Sequence, residues 1–374
     1  MTESKKDGVV KTIGLMSGTS LDGIDAAILE TDGEGIVIPG PALTRPYDPE
    51  LRACLRAVLE EAGSAPLGAQ MSKGMRQTEI SLTMEHARAV KGLLSDAGLK
   101  ADEIAYIGFH GQTVLHRPRD ARSWQIGDGA MLAAETAIPV VNEFRQADIA
   151  NGGQGAPFAS LYHRARALNA GALLPMVVLN IGGVANVTYI GPDDVLLAFD
   201  TGPGNAPIDD WMVKHMGEPM DRDGAIAEKG VVNQDAVMQM LSHPYFALPP
   251  PKSLDRFDFT NEFVSGLSPE DAVATLTALT VLSIVRGTEH FPAQERGWLV
   301  TGGGRHNAAM MQSLGGVLRA PVLPVEKAGW RGDFLEAEAF AYLAVRSAKG
   351  LPLSLPSTTG IAEPKTGGRL HLPT

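Results

Sequence analysis

Two apolar strand pairs, each closed by a glycine-rich tip, lie 168 residues apart if measured from Gly14 to Gly182. The first has an apolar half-strand over 13–16, a tip of small and hydroxyl residues over 17–20, two aspartates (Asp22 and Asp25) and a second strand over 26–29. The second has a strand over 176–181, a Gly182-Gly183 turn and a return strand over 184–190 that carries Asn186 and Thr188 near its start. Further along, each pair is followed by another short strand that runs into polar or glycine residues. These are 104–109 before His110-Gly-Gln-Thr113, and 299–300 before Thr301-Gly-Gly-Gly304. The recurrence predicts an internal duplication, two similar α/β halves facing a shared cleft.

The first tip is the more informative. Glycines at 14, 18 and 23 let backbone N–H groups approach a ligand, and Ser17, Thr19 and Ser20 add hydroxyl donors suited to phosphate oxygens. Asp22 and Asp25 would repel phosphate directly, so a divalent cation between them and the phosphates is the natural complement. A glycine/serine tip alone is equally a plain hairpin turn; the two aspartates tilt the reading toward phosphate and metal.

A chain of 374 residues that is 44% hydrophobic and 20% charged can fill two cores. Its net charge of −11, without a long basic run, argues against a nucleic-acid surface. The single cysteine, Cys54, excludes an internal disulfide. The first dozen residues lack a signal-like apolar segment, and no run reaches the ~20 apolar residues of a membrane span. A cytoplasmic location is expected, with no membrane partner.

Helical periodicity predicts core-facing helices over 49–63 and 71–98. A helix over 272–286, capped by Ser268 with Pro269 at its first position, reads as a core helix. The last helix, over 333–348, carries Glu336 and Glu338 among small residues that permit close approach, and the tail over 352–374 is expected to pack irregularly on the surface.

Several residues stand where an α/β chain binds ligands. His110 follows a buried strand, though a histidine there can equally satisfy a loop carbonyl. Arg145 and Asp148 follow a strand over 139–141 and suit either a surface ion pair or a ligand contact. Asn151-Gly-Gly-Gln-Gly-Ala-Pro157 breaks the pattern and is taken as a bridge between domains. Asp200 is delivered by a strand over 196–199 into Thr201-Gly-Pro-Gly-Asn205, either as a rigidly held cleft carboxylate or as a cap of the helix that follows. Gly302, Gly303 and Gly304 form a backbone platform before a helix over 307–314, suited to adenosine or phosphate.

Duplicated phosphate hairpins and a glycine-rich nucleotide turn resemble the sugar kinase, Hsp70 and actin superfamily. More narrowly, six motifs resemble the anhydro-N-acetylmuramic acid kinases across nearly the whole chain. They are Gly14-Leu-Met-Ser-Gly-Thr-Ser-Leu-Asp-Gly-Ile-Asp25, His110-Gly-Gln-Thr113, Gly152-Gly-Gln-Gly-Ala-Pro157, Asn180-Ile-Gly-Gly183, Phe199-Asp-Thr-Gly-Pro-Gly-Asn205 and Gly302-Gly-Gly304. Lys252-Ser-Leu-Asp-Arg256 departs from the family's more usual Lys-Ser-Thr-Gly-Arg, and little weight falls on the loop over 249–258.

The resemblance implies an α/β, two-domain actin-like ATPase fold of duplicated ribonuclease-H-like domains around a central cleft. The first domain is expected over 1–170 and the second over 171–332, with the last helix and tail (333–374) returning to the first. The implied activity is a phosphotransferase that uses ATP and Mg²⁺ to open 1,6-anhydro-N-acetylmuramic acid hydrolytically and phosphorylate it to N-acetylmuramic acid 6-phosphate, a step in peptidoglycan recycling. Asp200 matches the family's catalytic base. Gly18, Thr19, Ser20, Leu21, Asp22, Gly23, Ile24 and Asp25, with Asn180, Gly182 and Gly183, are implied around the ATP phosphates, Asp22 holds the metal through water, and Gly302 to Gly304 line the adenosine. Arg145 is expected on the lactyl carboxylate, with His110, Asp148 and Glu336 as further sugar contacts. A homodimer is left open. A hexose kinase of the same fold, or a nucleotide-driven binding protein, are the other readings, and the second lacks a spare segment of domain size.

Overall fold

A computed structural model describes residues 8–18, 20–66 and 68–373. In chain order the first elements are β1 (Val10–Ser17), β2 (Gly23–Thr31), β3 (Val37–Pro46), α1 (Pro49–Ser64), α2 (Lys73–Ala97), β4 (Tyr106–Arg117), β5 (Arg122–Ile126), α3 (Gly129–Thr136), β6 (Val140–Asn142), α4 (Gln146–Ala150) and α5 (Ser160–Asn169). There follow β7 (Met176–Ile181), β8 (Val184–Ile190), β9 (Leu196–Pro203), α6 (Ala206–Met216), α7 (Gln234–Leu241), α8 (Pro269–Gly287), β10 (Trp298–Thr301), α9 (Ala308–Val317) and β11 (Val322–Pro324). The chain ends with α10 (Leu335–Ala348), α11 (Pro356–Thr359) and β12 (Arg369–His371).

The chain forms two compact units, one of residues 1–171 with 334–374, the other of residues 172–333. In the first unit the sheet order is β12-β6-β4-β1-β2-β3, with β5 hairpinned onto β4. β1 pairs antiparallel with β2 and parallel with β4, and β4 pairs parallel with β6. In the second unit the order is β11-β10-β7-β8-β9, with β7 antiparallel to β8 and parallel to β10. Matched strand for strand, both sheets place a three-stranded antiparallel meander beside two parallel strands. This is the duplicated, two-domain actin-like ATPase fold.

The central strands are largely apolar and buried because helices cover both faces. Every residue of β7 is buried, and Ile13, Leu15, Ile107 and Phe109 are fully buried in the first sheet. Helix α10 packs on β1, β2 and β4. It can lie this close because β1 and β4 present glycine there: a Cβ on Gly14 would collide with the Ala337 carbonyl, and one on Gly108 with that of Phe340.

Several boundaries differ from the sequence expectation. Strand β4 continues through the His110 quartet to Arg117, folding back as a hairpin with β5, so the quartet lies inside a strand. Likewise β9 runs through Asp200 to Pro203. The tail is partly ordered in the sheet, with β12 antiparallel to β6. Helix α8 is capped by Ser268 as expected, its hydroxyl accepting from Asp271 N at 3.1 Å. Together with the short turn that follows, it is long and apolar enough to cross a membrane, contrary to the expected shortness. Yet 67% of its apolar window is buried inside the protein, as befits a core helix.

Candidate active site

In the first unit, the connection from β1 to β2 is built as a tight turn. Leu21 N donates to Gly18 O at 3.2 Å, and Leu21 holds a φ of 57° with its side chain buried. The Ser17 hydroxyl, expected to face phosphate, is turned inward. It donates to Gln112 Oε1 at 2.5 Å and lies 2.6 Å from the Tyr47 hydroxyl. Gln112 Nε2 reaches Gly18 O at 3.2 Å, so the polar residue on β4 braces the tip. Thr19 lies outside the described residues, and Ser20 is exposed. Ile24 belongs to the core by its side chain, while Asp25 accepts from Thr44 Oγ1 at 2.6 Å. Asp22 is exposed and pairs with Arg52 at 3.0 Å. An ion pair this exposed contributes under ~1 kcal/mol and yields readily to a ligand.

A second cluster in the same unit gathers His110, Arg145 and Glu336. Arg145 Nη2 and Nε donate to His110 Nε2 at 3.0 and 3.3 Å, and Nη1 donates to Gly155 O. His110 rests against Phe340, ring centres 4.5 Å apart, and burial together with the Arg145 charge pushes its pKa well below the ordinary histidine value. Glu336 stands at the start of α10, where burial raises its carboxyl above the usual range, with Arg145 opposing and Asp25 adding to the rise. Asp148, by contrast, is spent on the chain itself. It is buried and accepts from Gly155 N at 2.7 Å and from Thr359 Oγ1 at 2.6 Å, fixing the glycine loop that in turn holds Arg145.

In the second unit the β7–β8 turn and the β10 glycines form one surface. Gly302 adopts a φ of 76°, and a Cβ there would collide with the Asn180 side chain and the Ile181 carbonyl. The carbonyls of Gly182 and Gly183 accept from the backbone N–H groups of Asn205 at 2.7 Å and Gly204 at 3.0 Å. The glycine platform meets a short 3₁₀ turn over Gly303–His306 before α9, whose N-terminus is capped by Asn307, Oδ1 accepting from Met310 N at 2.9 Å. Sequence reasoning missed Arg305, which is buried, donates to Gly302 O at 2.9 Å and pairs with Glu326 and Asp333.

Asp200 lies on β9 opposite Asn186 and is 5% exposed. It caps no helix: α6 begins after Asn205 without a side-chain cap. Its Oδ2 accepts from Leu254 N at 2.8 Å. A buried carboxylate held this way is restrained to one rotamer.

The model of the family described as anhydro-N-acetylmuramic acid kinase matches residues 10–372. The chain belongs to that family. Relatives bearing the name anhydro-N-acetylmuramic acid kinase include a protein of Paramagnetospirillum magneticum, 52% identical over 96% of this chain and 99% of its own. Another, from Rhodospirillum rubrum, is 50% identical over 97% of this chain and 95% of its own. For an anhydro-N-acetylmuramic acid kinase, ATP is the phosphoryl donor. The segment 252–256 carries Leu254 and Asp255, where a departure from the family's motif was expected. That segment nevertheless supplies the N–H on Asp200, and only a run of adjacent lysine and serine within an irregular loop could have hinted at it.

Proposed function

We propose that this chain opens the 1,6-anhydro ring of 1,6-anhydro-N-acetylmuramic acid with water and transfers the γ-phosphoryl group of ATP to O6. The products are N-acetylmuramic acid 6-phosphate and ADP, and the step serves the reuse of cell-wall fragments. The observation that carries this reading is the buried, rigidly held Asp200 in a chain that matches the kinase family over nearly its whole length.

Asp200 takes a proton from the water that attacks C1. As the C1–O6 bond breaks, O6 forms its bond to the γ-phosphorus and ADP departs, so the leaving oxygen is captured by phosphorus and needs no protein acid. A positioned base of this kind contributes about 10²- to 10⁴-fold. Arg145 offers a planar guanidinium to the lactyl carboxylate, and His110 holds that guanidinium in orientation. Glu336, kept from ionising easily by burial, suits a sugar hydroxyl. The backbone of 18–25, the Asn180 to Gly183 turn and Gly302 to Gly304 are assigned to ATP.

Among the described residues no cluster of three metal-ligating side chains occurs. A lone exposed carboxylate suits Mg²⁺, which keeps several waters and binds through one or two carboxylates plus phosphate, so Asp22 is assigned to it. Bound there, the ion would neutralise charge on the phosphates. Dependence on ATP argues for the cytoplasm, and a homodimer is compatible with this reading.

Turnover of the purified protein with ATP, Mg²⁺ and the anhydro sugar in ¹⁸O-water tests the proposal. Label at C1 of a 6-phosphorylated product, abolished in Asp200→Asn, is expected. Phosphorylation of another sugar with none from the anhydro compound would move the function to a general sugar kinase.

A further inference from the structure

The segment from Tyr245 to Phe259 lies outside the five-stranded core, between α7 and α8. It is not a loose insertion. Tyr245, Phe246, Leu254 and Phe259 form a small apolar cluster with Val237 and Leu241 of α7 and Leu279 of α8. From this anchored base the segment grips Asp200 at three points: Leu254 N donates to Oδ2 at 2.8 Å, Asp200 N donates to Lys252 O at 2.9 Å, and the Tyr245 hydroxyl donates to Asp200 O. Lys252 closes the arrangement, its buried ammonium donating to Tyr245 O at 3.2 Å and lying 4.7 Å from the Tyr245 ring centre. The hydrogen bonds thus form a ring through Asp200, Lys252 and Tyr245, with Leu254 fixing the carboxylate itself.

Strand pairing alone would not do this. The register between β8 and β9 shifts at Ala185 and Asn186, beside the Asn186–Asp200 pair, so the ladder is irregular where the base stands. A carboxylate at such a point needs outside bonds to hold one rotamer, and misplacing a reacting group by an ångström can cost about 10²-fold in rate.

We propose that Leu254, through its backbone N–H, and Tyr245, through its hydroxyl, are positioning residues for Asp200, making this insertion the clamp on the base. The proposal rests on Asp200 being the base. The clamp contains none of the residues assigned to ATP or to the sugar, so its loss should act on kcat more than on binding.

The test is steady-state kinetics of Leu254→Pro, which deletes the N–H, beside Leu254→Met, which keeps the N–H and the apolar anchor. Tyr245→Phe and Asp200→Asn are measured in parallel. Leu254→Pro is expected to lose about 10- to 100-fold in kcat, with KM for both substrates within about twofold of wild type, while Leu254→Met restores kcat. Tyr245→Phe is expected to lose a smaller factor, again in kcat, and decides the matter if Leu254→Pro does not fold. Wild-type kcat in a folded Leu254→Pro, or in Tyr245→Phe where the proline variant does not fold, together with an inactive Asp200→Asn, overturns the clamp and leaves the base in place. An active Asp200→Asn overturns the base reading and the clamp with it.

Discussion

His110 accepts two hydrogen bonds from Arg145, its Nε2 lying 3.0 Å from Nη2 and 3.3 Å from Nε. A guanidinium carries no acceptor, so this nitrogen must be unprotonated and the ring neutral, with Nδ1 donating to Gly111 O at 2.8 Å. Arg145 is therefore oriented by a partner that is itself neutral. Replacing Arg145 by alanine should raise KM for the anhydro sugar about tenfold or more, since a charge-assisted hydrogen bond contributes roughly 1.5–3 kcal/mol. His110→Ala should raise it by less. An Arg145→Ala enzyme with unchanged KM would remove Arg145 from the sugar site.

Gly14 and Gly108 let α10 lie against the sheet backbone. Alanine at Gly14 would place a methyl on the Ala337 carbonyl, which belongs to a helix and cannot swing aside as a side chain would. Overpacking of this sort costs about 3 kcal/mol or more when backbone must move. Gly14→Ala is expected to lower the thermal midpoint of the protein markedly, whereas Gly35→Ala, with nothing near its Cβ, should leave it close to wild type. Equal midpoints for the two variants would show that α10 is not seated as described.

What the sequence made legible was the repeat. Apolar strands with glycine tips carry a period and a punctuation, and both sheets follow from them. Strand β3 escaped because Pro39, Gly40, Pro41 and Pro46 interrupt its pattern, which an edge strand tolerates. The ends of β4 and β9 escaped for a related reason: His-Gly-Gln-Thr and Asp-Thr-Gly-Pro look like turns, yet each is held in a strand by antiparallel pairing with its hairpin partner, β5 and β8. Candidate residues stand out in the sequence where they depend on side-chain type, as Asp200 and Arg145 do. A backbone N–H, as at Leu254, leaves no such mark, because any residue but proline supplies one. At Asp148 the residue type gave no sign of the bonds that its oxygens accept from Gly155 N and Thr359 Oγ1.

The histidines of the first unit make its stability sensitive to acid. Burial lowers His86 to about 4 and His116 and His163 to about 3, and His110 is also pushed down. Below pH ~6.5 the unfolded chain binds protons on these rings that the folded chain refuses, so stability present at neutral pH is lost as pH falls through the window from about 6.5 toward 4. Glu336 acts in the opposite sense, since its raised carboxyl takes up a proton earlier in the folded state, and it offsets part of the loss. His86 isolates the effect: Nδ1 meets Leu82 O at 2.9 Å, and the ring packs on Phe109 with centres 4.8 Å apart. In His86→Gln the fall in unfolding free energy between pH 7 and pH 5 should be smaller than in wild type by about 2 kcal/mol, one proton's worth over that interval. Denaturant melts at the two pH values measure it, and identical falls in both proteins would show that His86 takes up its proton in the folded state, with the acid sensitivity arising elsewhere.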